Sequence, residues 1–308
     1  MTRAGSGHGH RRRLRDWFLL SLLVLLWGSA FALTDVALQA FTPLQVVAGR
    51  LWIGASVLIV MILASRQQMP RGVSAWTYIA TMAVLGNVLP FFLISWGQQA
   101  IPSGLTGILM AVMPLVVLVL AHFLIPGERM NAPKVLGFIL GFAGIVVLTG
   151  PAAIGSAGGN AAQLLAQLSV LAGAICYGLN LIVARRGPAM PPQLTAACVL
   201  LVSAALATTI TLLYGEPAPS GVPAGPAIAL ASLGLFSTGL ATVVYYGVVA
   251  SAGPTFLSLI NYLIPVYAVI AGAAFLGERL AMHSLVALAI ILVAIVISHR
   301  PAILRSRP

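Results

Sequence analysis

Ten apolar runs set the terms for this chain, at 17–38, 42–64, 75–96, 102–124, 133–150, 163–184, 192–213, 224–249, 254–276 and 282–299. Each is close to the ~20 residues a helix needs to cross a bilayer. Short loops of Gly, Pro and Ser separate them. With no water in the hydrocarbon, the backbone must satisfy its own polar groups, and runs of this length do so as helices. Charge agrees. Only 7% of residues are charged, at a mean hydropathy of +1.05, whereas a soluble domain carries about 25%. The expected fold is an all-α polytopic membrane protein with ten transmembrane helices.

The chain also repeats itself. Pro114 precedes an apolar run that ends in Gly127-Glu128-Arg129, and Pro265 precedes one that ends in Gly277-Glu278-Arg279. Each copy follows a short hinge, Ile101-Pro102-Ser103-Gly104 or Ala252-Gly253-Pro254-Thr255, and each precedes one last apolar span. The expected organisation is a basic cytoplasmic segment at 1–16, a five-helix repeat at 17–150, an external linker at 151–162, a second repeat at 163–299 and a cytoplasmic tail at 300–308. Five spans is an odd number, so the second repeat enters the membrane from the other side. Two inverted repeats around a central cavity are the architecture of a carrier, since the halves can exchange conformations about a shared site.

The net charge of +11 reads as topology and not as nucleic-acid binding. With the N-terminus inside, the inner segments hold Arg3, Arg11, Arg12, Arg13, Arg15, Arg66, Arg71, Arg129, Lys134, Arg185, Arg186, Arg300, Arg305 and Arg307, fourteen of the 16 Lys and Arg. That matches the inside preference of basic residues and places both termini in the cytoplasm of a bacterial-type inner membrane. The first run, with Ala30-Phe31-Ala32 at its end, resembles a signal peptide. Its length and the topology favour an uncleaved span. Cys176 and Cys198 lie inside apolar runs as packing residues. No metal site, cofactor site, phosphate loop or nucleophile motif is visible, so neither cofactor nor enzyme chemistry is expected.

Trp27-Gly28-Ser29-Ala30-Phe31 in span one, Pro43 with Arg50 in span two, and the paired Pro…Gly-Glu-Arg segments together resemble the EamA-type drug/metabolite transporters. The likeness covers the chain after residue 16. It implies ten helices in two inverted repeats, a central cavity, and export or exchange of small metabolites. Within the family the chain most resembles the YddG-type aromatic amino-acid exporters.

Polar groups inside spans are costly unless answered, so they are the candidates for a cavity lining. Tyr177 and Asn180 share a face of span six, and Asn261 or Tyr262 shares a face of span nine with Ser258 and Pro265. Tyr78 in span three, Met110 in span four, Tyr245 and Tyr246 in span eight, and Trp27 in span one join them. A Tyr near a span end is more often an interfacial anchor, which applies to Tyr78. Asn180 and Asn261, well inside their spans, are the stronger candidates, with interhelical hydrogen bonding as their alternative role. Pro114 and Pro265 are expected to bend their spans at matching positions and serve as hinges. Glu128 and Glu278 are expected to tie loops or cap helix ends.

Phosphorylated substrates need clustered cations, and the deep cation here is Arg50 alone. A proton-coupled pump of cationic drugs needs a deep acid. Span one has only Asp35, near its end, where a salt bridge with Arg50 is expected. A neutral or zwitterionic solute remains, with amides and hydroxyls for its charged ends and aromatic faces for its ammonium. The expected protein is therefore a secondary transporter of such metabolites, amino acids above all. It works by alternating access and needs only the lipid bilayer and its substrate as partners. A monomer suffices, because the duplication supplies both halves. The rival is a multidrug or hydrophobic-cation exporter of the same fold. More distant is a non-transporting membrane scaffold, which would need an extramembrane surface that the chain lacks.

Overall fold

The computed structural model describes residues 6–65, 69–149, 161–217 and 219–299. Most of the expected linker and the whole of the expected C-terminal tail therefore lie outside the described residues. Among those described, the regular elements are helices throughout. Seven are long and apolar enough to cross a membrane: Leu14–Leu38, Pro43–Val60, Val73–Gly97, Ser103–Leu124, Ala161–Arg186, Pro192–Tyr214 and Ala224–Gly253. Three shorter apolar helices, Ala132–Leu148, Ile260–Leu276 and Met282–Ser298, complete the ten expected spans. The outer faces remain apolar: Phe123, Leu212 and Phe275 are each 75–80% exposed, which suits contact with lipid.

The spans pair across the two halves. Span five packs on span ten, span two on seven and span four on nine. Span one packs on eight and nine, and span six packs on three and four. Exchanging each span of the first half with its counterpart five spans later maps this pairing onto itself. A two-fold relation between the halves requires that.

Small residues allow the closest of these approaches. Span two lies against span eight so tightly that a Cβ at Gly234 would run into Ile53 and come within 3.0 Å of the Arg50 carbonyl oxygen. Gly137 of span five similarly meets the backbone of Ala294 in span ten, as small residues at helix seams allow. Trp52 Nε1 donates to Thr208 Oγ1 at 2.8 Å and fastens span two to span seven.

The two expected hinges differ. Span four breaks at Ala111–Val112, where Ala111 N–H and Val112 N–H bond the carbonyls of Ile108 and Leu109 three residues back. Pro114 opens the next helical segment, Met113–Leu124, where a missing N–H costs nothing. In span nine, Pro265 lies inside the helix Ile260–Leu276. The irregular turn comes earlier, at Ser258–Leu259, with Asn261 and Tyr262 N–H reaching back three residues. The chain before it is broken again at Gly253, whose φ of 82° suits glycine. Span nine thus begins as a well-formed helix six residues later than the sequence pattern indicates.

The contact at Gly234 gives a test. Gly234→Leu should overpack the span two–span eight seam and cost about 1–3 kcal/mol. Gly247→Ala, where an added Cβ meets nothing within 4 Å, should cost nothing. Thermal unfolding of the detergent-solubilised variants checks this, and equal midpoints would sink the seam's importance.

Candidate functional site

The third span of each half departs from α-helical geometry. Span three widens to π-helix at Val84–Val88, and span eight does so at Leu233–Leu240. Such turns are rare and concentrate at functional sites. In span three, Pro90 follows at once and offers no N–H to the carbonyl four residues back. In span eight, the Thr238 hydroxyl donates to the Leu233 carbonyl oxygen, five residues back, at 3.0 Å.

Arg50 meets that same hydroxyl. Only 6% of Arg50 is exposed. Its Nε and Nη2 donate to Thr238 Oγ1 at 3.3 and 3.2 Å, and its guanidinium carbon stands 3.8 Å from the centre of the Phe91 ring. Tyr177 lies edge-on to Phe91, at 6.5 Å between ring centres, and within electrostatic reach of Arg50. The expected salt bridge between Arg50 and Asp35 is absent among the described residues. The guanidinium points toward span eight and Phe91, while Asp35 lies within electrostatic reach of Glu278. The close approach of spans two and eight brings Thr238 nearer to Arg50 than any acid. A charge at the centre of a membrane helix costs about 2.5–3.5 kcal/mol, so a single neutral acceptor and one aromatic face are a sparse answer to it.

Amides and hydroxyls surround the π turn of span three. Asn87 Nδ2 donates to Ser203 Oγ at 3.1 Å, and Ser203 donates to the Val199 carbonyl at 2.7 Å. The Asn180 amide covers Gly86, its Nδ2 2.8 Å from where a Cβ would be. Asn180 Oδ1 is buried and has no hydrogen-bond partner, and the same is true of Ser237 Oγ beside Thr238. Buried polar atoms are normally paired, so these two open positions next to the π turns mark a place where a solute could bind.

The remaining predicted residues fall into two groups. Trp27 is 5.7 Å from Tyr245, which meets Tyr246 edge-on at 5.2 Å. Tyr246 and Phe91 pack on the same buried cluster around Leu51 and Val88, so this aromatic chain adjoins the Arg50 site. Tyr78 is within electrostatic reach of Tyr246 and covers Gly187. Met110 and Tyr262 instead pack on the cluster built around Ile108, Leu115 and Ile291, and Asn261 sits in the first turn of span nine. Met110 and Tyr262 thus belong to a different buried cluster from Phe91 and Tyr246. Sequence reasoning missed Thr238, Ser237, Phe91 and Ser203. Their signal was a hydroxyl pair between Gly234 and Gly239, in the span that the only deep arginine would have to reach.

The two repeat glutamates have different partners. Glu278 Oε1 and Oε2 accept from the backbone N–H groups of Ser103 and Gly104 at 2.7 and 2.9 Å. A carboxylate of the second half thus caps the start of span four in the first half, where the helix dipole favours negative charge. The turn at Gly277, with φ of 66°, carries the chain round so that Glu278 lies over Gly272, where any Cβ would strike its carboxylate. Glu128 instead makes ion pairs with Lys134 at 3.4 Å and Arg185 at 3.7 Å. It lines a cavity of about 280 Å³ in the loop after span four, bounded by residues 122–129. His122 Nδ1 stands 3.3 Å from both Glu128 O and Met130 N, and its tautomer decides whether it donates to the carbonyl or accepts from the N–H.

A duplicated bundle of ten apolar helices, with polar groups buried at distorted turns in both halves, defines the class: a multi-pass membrane transporter. The chain belongs to the EamA-like transporter family, whose pattern it matches twice, over residues 16–150 and 164–300. It is 26% identical over 285 residues to the "Uncharacterized transporter YvbV" of Bacillus subtilis, covering 92% of this chain and 91% of that one. It is 28% identical to the "Probable terminal-alkyne amino-acid exporter" of Streptantibioticus cattleyicolor, covering 85% of each. A solved crystal structure shares the fold at a TM-score of 0.64 and 22% identity, over 92% of this chain and 96% of that one.

The glutamates provide a second test. Glu278→Ala should cost about 1.5–3 kcal/mol, because two backbone donors lose a charged acceptor. Glu128→Ala, whose side chain is 41% exposed, should cost at most about 1 kcal/mol. Unfolding midpoints of the two variants, compared with the parent, give the answer.

Proposed function

We propose that this protein is a secondary transporter that exports or exchanges small zwitterionic metabolites, amino acids first among them. The observation that carries the reading is the buried, unpartnered Asn180 Oδ1 beside the π turn of span three. An acceptor left open inside an apolar bundle suits an ammonium group that arrives with the substrate. Ser237 Oγ offers a second open hydroxyl, and Trp27, Tyr245 and Tyr246 form an aromatic chain whose last ring packs on the same buried cluster as Phe91. The similarity to a relative named as an amino-acid exporter points the same way. The aromatic richness favours aromatic amino acids within that class, as the YddG-type resemblance implies.

Transport proceeds by alternating access, with one half rocking against the other. The cap of Glu278 on span four holds one end of the interface between the halves, while Glu128 is engaged within its own loop region and with Arg185. The two ends of the pseudo-symmetric pair are therefore in different states, as a carrier open to one side requires. The distribution of arginines supports cytoplasmic termini in an inner membrane. One chain contains both repeats and can act as a monomer.

Counterflow in proteoliposomes loaded with aromatic, aliphatic or hydroxy amino acids tests this, with protein-free vesicles as control. Saturable exchange of at least one is expected. Asn180→Ala should lower it about ten-fold or more at equal protein, as loss of a hydrogen bond to a charged group implies. Flat traces with folded protein, together with Asp35-dependent resistance of cells to lipophilic cations, would favour the drug exporter instead.

A further inference from the structure

We infer that Arg50 is the substrate's carboxylate anchor, so that a free carboxylate is what the carrier selects for; this rests on the transport reading above and narrows its substrate class. Arg50 is more than nine-tenths buried, yet both of its described hydrogen bonds go to one neutral oxygen. That oxygen's own proton is committed to the Leu233 carbonyl. Thr238 therefore accepts from the guanidinium in a fixed orientation and holds it by one edge. The chain has five acidic residues, and neither of the described ion pairs, both made by Glu128, includes Arg50. Phe91 supports one face of the guanidinium. Nη1, with two further donors, takes part in no described hydrogen bond.

A guanidinium held by one edge and one face keeps the geometry that pairs with a planar carboxylate. A phosphate dianion would bring more charge than one arginine can balance, and a lipophilic cation would be repelled. The carboxylate is also the charge that the protein leaves out. The carboxylate of a bound zwitterion gives the buried guanidinium the local countercharge it lacks when the site is empty. For an amino acid, Asn180 Oδ1 remains for the ammonium, one helical turn from Tyr177, which meets the Phe91 ring beneath Arg50. Thr238 and Phe91 are positioning residues for Arg50.

The test measures binding to the purified full-length protein in detergent by ligand-induced change in tryptophan fluorescence. The probes are leucine, phenylalanine and serine, each as the free acid, the primary amide and the N-acetyl acid. For at least one side chain, the free and N-acetyl acids should bind at least ten-fold more tightly than the amide. Arg50→Gln should abolish that preference, and Arg50→Lys, which keeps charge without the planar fork, should retain it in weakened form. A merely structural arginine would lower the amount of folded protein without changing the ratio of acid to amide. Should Arg50→Gln fail to fold, the ratio in the parent and in Arg50→Lys still decides. Amides that bind as well as acids, or acids that bind no probe-sized pocket at all, would overturn the inference. So would full acid preference in Arg50→Gln. N-acetyl acids that bind while no amino acid is exchanged would leave the anchor standing and remove the amino-acid reading. Amino acids and their amides exchanged alike would do the reverse.

Discussion

In a bilayer no water is available to satisfy polar groups, and the structure follows from how each group is answered within the chain. Helices answer the backbone. At the breaks in spans four and nine the backbone closes tighter turns on itself, and at the π turns of spans three and eight the hydroxyls of Ser203 and Thr238 also donate to main-chain carbonyls. The Thr238 hydroxyl shows the logic in one atom. It donates its proton to Leu233, which leaves its oxygen to accept from Arg50. The local distortion, the interhelical contact and the orientation of the deepest cation are thus a single hydrogen-bonded arrangement.

The same requirement explains why small residues line the seams. Gly234 lets span eight reach the backbone of span two, and only at that separation can a short Thr side chain meet a guanidinium. Gly272 makes room for the Glu278 carboxylate as it returns toward span four. Each close approach serves a polar contact that a bulkier interface would hold apart. The polar sites of this bundle are therefore consequences of its packing.

The two halves resemble each other in sequence without sharing every local contact. Glu278 caps a helix of the opposite half, and its counterpart Glu128 pairs with Lys134 and Arg185. Span four breaks just before its proline, and span nine breaks further upstream. Equivalent sequences in two different local states are what a carrier needs if each half is to adopt the other's arrangement in turn.

Ten helices, their approximate ends and the duplication were legible in the sequence, because hydrophobic run length and repeated motifs are properties of neighbouring residues. The sequence pointed to a structural role for both Glu128 and Glu278, in tying loops or capping helix ends, but it did not distinguish the cap made by Glu278 from the ion pairs made by Glu128. The partner of Arg50 was not legible. Asp35 was the expected one, on charge and depth, but depth along a span does not say which way a side chain points. The π turns, the Thr238 contact and the division of Met110 and Tyr246 between two buried clusters depend on how spans rotate and approach one another. Those are set by contacts between residues more than a hundred positions apart, which only the tertiary structure could decide.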